Sequence, residues 1–71
     1  MNPIDDARDR LHRTGWSVGE TVWGSTWRID GSNGENLLLV HAGTQAEAWR
    51  RAAEYARSLG LLAPPRDVES L

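Results

Sequence analysis

Apolar and polar residues alternate through the middle of the chain, and this alternation limits the fold more than any other feature. Trp16, Val18 and Val22 alternate with polar or small residues, and Trp27 and Ile29 do so farther along. An apolar run at positions 37–40 follows. A period of two residues is typical of a β-strand with one buried face, so we expect three strands between positions 16 and 42.

Two candidate turns separate these strands. Gly24 and Ser25 supply the first, and the stretch Asp-Gly-Ser-Asn-Gly at positions 30–34 supplies the second. Asn33 followed by Gly34 is a pair that favours the positive φ angles of a tight hairpin, and we expect such angles there. Short hairpin connections predict an antiparallel three-stranded β-meander.

A short helix is predicted before the meander, from about position 3 to position 12. Asn2 followed by Pro3 is typical of a helix N-cap with proline in the first turn. Ile4, Ala7 and Leu11 recur three and four residues apart and form the apolar stripe that such a helix needs for docking. Gly15 is the expected stop.

A second helix is predicted from about position 45 to position 59, followed by Gly60. Thr44 begins a capping box, in which its side chain accepts from the backbone N–H of Glu47 while the Glu47 carboxylate reaches back. One broad apolar face of this helix carries Ala48, Trp49, Ala52, Ala53, Ala56 and Leu59. We therefore expect an α+β fold of order α-β-β-β-α, with the meander packed against the C-terminal helix.

The chain has 71 residues, which suffice for one domain. We assign that domain to residues 1–61 and expect a flexible tail at residues 62–71, which contains Pro64 and Pro65. Cysteine is absent, so packing alone supports a small core, and self-association would add to its stability. No secretion signal or membrane-length apolar segment is evident, and we expect a cytoplasmic protein without membrane contact.

The net charge of −2 and the pI of about 5.5 disfavour nucleic acid as a partner. Arginines occur in two groups, Arg8, Arg10 and Arg13 in the first helix and Arg50, Arg51 and Arg57 in the second. Acidic residues are interleaved with both groups, as on a solvated helix face. Only Arg28 lies between positions 16 and 42, whereas a sheet that reads DNA needs several cations.

A turn with an even number of residues keeps the in-and-out alternation of side chains, here called parity, in step from one strand to the next. The three strands therefore present two different sheet faces. The inner face collects Trp16, Val18, Val22, Trp27, Ile29, Leu38 and Val40 and should meet the C-terminal helix. The outer face collects Thr21, Trp23, Arg28, Asp30, Leu37, Leu39 and His41. Because this outer face is too apolar for a solvated surface, we expect the N-terminal helix or a second subunit to cover it. If the N-terminal helix instead packs beside the C-terminal one, the face or the third-strand edge becomes a docking surface.

Four tryptophans are unusual in a chain of this length. Trp16 and Trp27 have inward parity, but Trp23 and Trp49 are expected to be exposed and available as interface anchors. The predicted partner-binding residues are Trp23, Arg28, Leu37, Leu39, His41 and Trp49. The predicted function is a non-enzymatic protein-interaction or self-association module, homodimeric through the third strand or the outer face. The alternative is a nucleic-acid-binding domain that uses the sheet and the helix arginines.

No catalytic, cofactor or metal site is predicted. His12 and His41 are the only histidines, and neither lies at metal-ligand spacing from another ligand. The glycine-rich stretch at positions 30–36 lacks the ligand pattern of a calcium loop and the lysine of a phosphate loop, so a hairpin turn is the better interpretation.

The order of elements resembles the double-stranded RNA-binding domain over about residues 3–60. That family opens its second helix with a pattern like Ser-Lys-Lys-x-Ala-Lys. Here Thr44 and Ala48 match the hydroxyl residue and the alanine, while Gln45, Ala46 and Trp49 replace the three lysines. The resemblance implies a protein-interaction or dimerisation module without the phosphate-binding lysines.

A second resemblance is to the sheet-reading DNA-binding domains of the plant AP2 type and of tyrosine recombinase arms. It is carried by Trp27, Arg28 and Ile29 and by the helix start at positions 43–48. It implies DNA contact through the exposed sheet face, although the several arginines or lysines that such a face presents are missing here.

Overall fold

A three-stranded antiparallel meander forms the centre of the protein in a computed structural model that describes residues 2–65. The elements are α1 (Pro3–Arg13), β1 (Ser17–Trp23), β2 (Thr26–Ser32), β3 (Leu37–Ala42) and α2 (Gln45–Ser58). The strand order is β1-β2-β3, with β2 in the middle. The predicted α+β class and the α-β-β-β-α order are confirmed.

Two short loops set the register of the meander. Gly24 and Ser25 join β1 to β2, and Gly24 has a φ of 60°, which a side chain at this position would disfavour. The second loop is shorter than predicted. β2 runs through Gly31 to Ser32, so the placement of Asp30, Gly31 and Ser32 in this turn is wrong. Gly34 has the expected positive φ, 97°, but the positive φ expected at Asn33 is wrong, since only glycines among the described residues have one. The Asn33 side chain instead closes the loop by accepting from the Asn36 N–H at 2.9 Å.

Both helices start at the predicted caps. The Asn2 side chain accepts from the Asp5 N–H at 2.8 Å, and Thr44 Oγ1 accepts from the Glu47 N–H at 3.2 Å. The reciprocal half of the predicted capping box is wrong, because the Glu47 carboxylate is engaged by Arg50 and Arg51. Glu47 therefore pairs with arginines along the helix and does not accept a hydrogen bond from the Thr44 backbone N–H.

α1 packs against α2 and β1, on the same side of the sheet as α2. Its buried residues Ala7 and Leu11 join a core whose α2 members include Ala52 and Ala56. Alanines allow two helices to approach closely, so the apolar stripe of α1 finds its partner there. The possibility that α1 covers the outer face is wrong.

The core lies between the two helices and the inner face of the sheet. Its fully buried residues are Ala7, Leu11, Trp16, Ile29, Leu38, Ala48, Trp49, Ala52 and Ala56. The pairing of Val22 with Trp27 and of Ile29 with Val40 places these side chains on one face, as the parity predicts. Val22, however, is 47% exposed beside the first turn and contributes little to the core.

Residues 61–65 return along α1. The Trp16 indole N–H donates to the Leu61 carbonyl at 2.9 Å, and Arg10 Nε donates to the Ala63 carbonyl at 2.7 Å. Leu61 and Leu62 pack against the core. The Ala63 and Pro64 carbonyls accept from Arg10 and Arg13, so residues 62–64 also contact the domain, while the boundary after residue 61 stays a prediction. The remainder of the predicted tail lies outside the described residues.

Candidate functional site

The outer face of the sheet carries large apolar side chains that nothing in the described chain covers. It is defined by Ser17, Gly19, Thr21, Trp23, Thr26, Arg28, Asp30, Ser32, Leu37, Leu39 and His41, which share one side by strand register. Trp23 is 52% exposed, Leu37 77% and Leu39 61%. Because both helices lie on the inner side, this face is the main unpartnered apolar surface of the described residues.

Arg28 organises the middle of the outer face. Its guanidinium lies over the Trp23 ring at 5.2 Å from the ring centroid, and its Nη2 is 3.5 Å from Asp30 Oδ2. A cation over an exposed indole contributes about 0.5–1 kcal/mol. The Nε of Arg28 is buried and has no hydrogen-bond partner among the described residues. These contacts fix the Trp23 ring on the surface and leave one donor of Arg28 unused.

An open trough of about 620 Å³ lies at the end of the sheet away from Trp23. Its residues include Ser17 and Gly19 from β1, Asp30 from β2, and Leu37 and Leu39 from β3. Gly19 has no side chain and Ser17 a short one, so the floor of the trough is low at β1, across β2 from the two leucines. The outer face thus combines a projecting aromatic ring with an apolar recess.

The free edge of β3 is partly closed by α2. Arg51 Nη1 donates to the His41 carbonyl at 2.7 Å, so this carbonyl points away from β2 and already has a donor. Backbone groups alternate in direction along an antiparallel strand, which leaves those of Leu37 and Leu39 facing the same free edge. The edge is consequently a smaller docking surface than the face.

Five of the six predicted partner-binding residues lie together on the outer face: Trp23, Arg28, Leu37, Leu39 and His41. His41 is paired directly with Arg28 across β2 and β3. The sixth, Trp49, was expected to be exposed, and this expectation is wrong because only 2% of it is accessible. Its indole N–H donates to Glu20 Oε1 at 2.7 Å, and Arg8 lies 4.9 Å from the centroid of its ring.

Glu20 is the residue that the sequence analysis missed. It lies in β1 with inward parity, and it also accepts from Gln45 Nε2 at 2.8 Å. Hydrogen bonds from Gln45 and Trp49 hold the pKa of the Glu20 carboxyl below its ordinary value. A carboxylate at an inward position of an otherwise apolar alternation is the signal that indicates such a partner.

The helix arginines are mostly engaged by acidic neighbours. Ion pairs join Arg8 to Asp5, Arg10 to Asp6, Arg13 to Asp9, Arg50 to Glu47 and Glu54, and Arg51 to Glu47. The hydrogen bond and charge of Arg50 lower the pKa of Glu47, and Glu47 in turn raises the pKa of Arg50. These pairs reduce the positive field that a phosphate backbone would meet.

A second recess, of about 370 Å³, lies between the first turns of α1 and α2. Its charged groups are already paired, Arg10 with Asp6 and Arg50 with Glu47. Within residues 2–65 no three acidic, histidine or cysteine side chains gather as a metal site would require. Neither helix in this part of the chain is long and apolar enough to cross a bilayer.

Comparisons with protein-family models, with curated proteins and with solved structures found no match. The resemblances to the double-stranded RNA-binding domain and to the sheet-reading DNA-binding domains therefore stay predictions from the sequence.

Proposed function

We propose that this protein is a non-enzymatic interaction module that associates with a second copy of itself through the outer face of its sheet. The observation that carries the proposal is the exposure of Trp23, Leu37 and Leu39 on a face that neither helix covers. Burying a leucine side chain contributes about 1.5–3 kcal/mol, so a partner on this face gains free energy that water cannot supply.

Two surfaces compete within this proposal, the outer face and the edge of β3. The face is favoured because it holds the exposed tryptophan and the recess, while Arg51 already occupies one carbonyl of the edge. A ring such as Trp23 is a frequent interface anchor because it buries a large area with few rotatable bonds.

Sedimentation equilibrium of the purified protein from micromolar to millimolar concentration tests the proposal. Leu39→Lys should lower the association constant by at least about tenfold, because each dimer loses two buried leucines. The new lysine lies opposite Asp30 in the register, which favours folding of the variant. Leu59→Lys is the matched control, since Leu59 is 41% exposed at the end of α2 on the helix side.

The outcomes are distinct. A wild-type protein that dimerises, together with a monomeric Leu39→Lys and an unaffected Leu59→Lys, supports the outer face. A wild type that stays monomeric at every concentration refutes self-association. Arg51→Ala separates face from edge, because freeing the His41 carbonyl should strengthen an edge contact and leave a face contact unchanged.

Nucleic acid is the alternative partner, and the Trp23–Arg28 pair is the observation that favours it. Bases stack on exposed aromatic rings, and arginine adds charge attraction to phosphates. Fluorescence anisotropy with labelled single-stranded and duplex oligonucleotides at low salt decides between the two. Salt-sensitive binding that Arg28→Glu abolishes would replace the self-association proposal with the nucleic-acid one.

A further inference from the structure

The outer face has a bulky end and a hollow end. Trp23 stands at the first end, paired with Thr26 beside the hairpin turn. The trough occupies the other end, where β1 offers only Ser17 and Gly19. The trough is shallow and open to solvent, so an indole ring can lie along it. In a dimer formed through this face, the projecting ring of each copy can pack against the recess of the other.

Opposite charges lie between these two ends. Arg28 and Asp30 are adjacent outward residues of the central strand, with side chains 35% and 47% exposed. A two-fold interface brings the same patch of both subunits together, so residue i meets residue j and j meets i. When the two-fold axis passes between Arg28 and Asp30, Arg28 of each copy meets Asp30 of the other copy. The interface then contains two such ion pairs.

We propose that the two-fold axis of the dimer lies in the interface, runs across the strands and passes between Arg28 and Asp30. This inference rests on the proposed self-association and specifies its geometry. Rotation about such an axis exchanges the two ends of the sheet. By the strand register, Arg28 of each copy then faces Asp30 of the other, and Trp23 faces Ser17 and lies against the shallow trough.

The other simple axis, parallel to the strands, gives a poor fit. Rotation about this axis does not shift residues along the strand direction. Arg28 of one copy therefore lies opposite Arg28 of the other, and Asp30 lies opposite Asp30. Like charges brought together in an interface are unfavourable. It also places Trp23 over the end of β3 rather than over the trough. Charge and shape thus select the same axis.

The size of the face sets the strength of the contact. Three strands about 4.8 Å apart and seven residues of about 3.3 Å each span a projected area of roughly 330 Å². A standard interface buries about 800 Å² of accessible surface on each partner, so this dimer belongs to the small, transient class. Sedimentation must therefore extend to high protein concentration.

Charge reversal tests whether Arg28 and Asp30 meet across the interface. The single variants separate the two axes, because on the axis along the strands Arg28→Asp only exchanges one contact between like charges for another, whereas the mixture shows that the charges lie in the interface. Arg28→Asp makes the centre of the face entirely negative, and Asp30→Arg makes it entirely positive. Each variant alone should lose about tenfold in association constant, because every dimer gains two repulsive contacts. Their one-to-one mixture should regain association at the wild-type level. Circular dichroism and urea unfolding verify that both variants are folded.

Failure of this test differs from failure of the proposed function. If the wild type dimerises and Leu39→Lys does not, but the mixture associates no better than either variant alone, the geometry is wrong and the outer face stands. If the wild type is monomeric throughout, self-association itself is refuted, and the axis with it.

Thiol cross-linking locates the axis independently, since the chain contains no cysteine. The proposed axis places His41 opposite Leu39 of the other copy, whereas the axis along the strands places it opposite Thr21. A short bifunctional thiol reagent should join a mixture of His41→Cys and Leu39→Cys chains and leave a mixture of His41→Cys and Thr21→Cys chains uncoupled. The reverse pattern would overturn the inference.

Discussion

The carboxylate of Glu20 should stabilise the fold by a measurable and pH-dependent amount. It accepts from the Trp49 indole N–H at 2.7 Å and from Gln45 Nε2 at 2.8 Å. Trp49 is 2% exposed, but Glu20 itself is solvent-exposed, so water replaces part of the hydrogen bond that is lost when Glu20 is removed. An unsatisfied buried donor costs about 1–3 kcal/mol, and we expect Glu20→Ala to lie at the low end, with a loss of about 1 kcal/mol in the free energy of unfolding.

Glu20→Gln separates the charge from the acceptor. The amide oxygen still accepts from Trp49, but a hydrogen bond to a neutral group is weaker than one to a charged group, and because solvent screens the exposed Glu20 we expect a loss of about 0.5 kcal/mol. For a domain of this length each kcal/mol corresponds to roughly 4–8 °C in Tm. Urea unfolding followed by tryptophan fluorescence at low protein concentration measures the difference, and Glu35→Gln in the exposed second loop is the matched control.

The pH dependence follows from the direction of the pKa shift. Because the pKa of Glu20 is lowered in the folded protein, its contribution is complete above the ordinary value of 4.5. It is lost as the pH falls through the lower folded value. Wild type and Glu20→Gln should therefore converge in stability in acid.

A double-mutant cycle with Trp49→Phe should give a coupling of about 0.5 kcal/mol between positions 20 and 49, because the packing lost with the smaller ring cancels in the cycle and the lost hydrogen bond does not. The reasoning is refuted if Glu20→Gln is no less stable than Glu35→Gln at neutral pH, or if its deficit persists unchanged well below pH 4.5.

Two further substitutions test the fold. Gly31→Ala should destabilise by about 1–3 kcal/mol in urea unfolding, since its new methyl group would overlap the Ser17 carbonyl and lie 2.7 Å from Val18 Cγ1. Gly43→Ala meets nothing within 4 Å, and an equal loss there would contradict a steric cause. Thr44→Ala should cost about 1 kcal/mol by removing the cap of α2, and Thr44→Ser should restore it. Equal thermal unfolding of the alanine and serine variants would argue against capping.

The order and approximate bounds of the five elements could be predicted from the sequence, because the local signals for strands, turns and helix ends all indicate the same elements. Alternation specified the strands, and Asn2, Thr44 and Gly60 marked helix ends. The loops that join the strands contain two and four residues, so side-chain parity carried correctly across the meander. This parity alone predicts that Trp23, Arg28 and Leu39 share one face.

The side of the sheet on which α1 packs was not accessible in the same way. Its stripe of Ile4, Ala7 and Leu11 suits either an apolar sheet face or the alanines of α2, and both were present. Only the three-dimensional arrangement decides between them. Trp49 was misjudged for a related reason, because the group that satisfies its indole N–H lies 29 residues away in β1.

The return of residues 61–65 along α1 affects how this protein is made. The Arg10–Ala63 contact spans 53 residues, and the Trp16–Leu61 contact spans 45. An isolated helix of eleven residues is marginal in water, so α1 emerges from the ribosome long before the partners that stabilise it. Until α2 and residues 61–64 have been translated, α1 is accordingly open to proteases and chaperones. Limited proteolysis of purified chains that end at Gly60 and at Pro65 should show faster cleavage of α1 in the shorter chain, which lacks the Arg10–Ala63 contact.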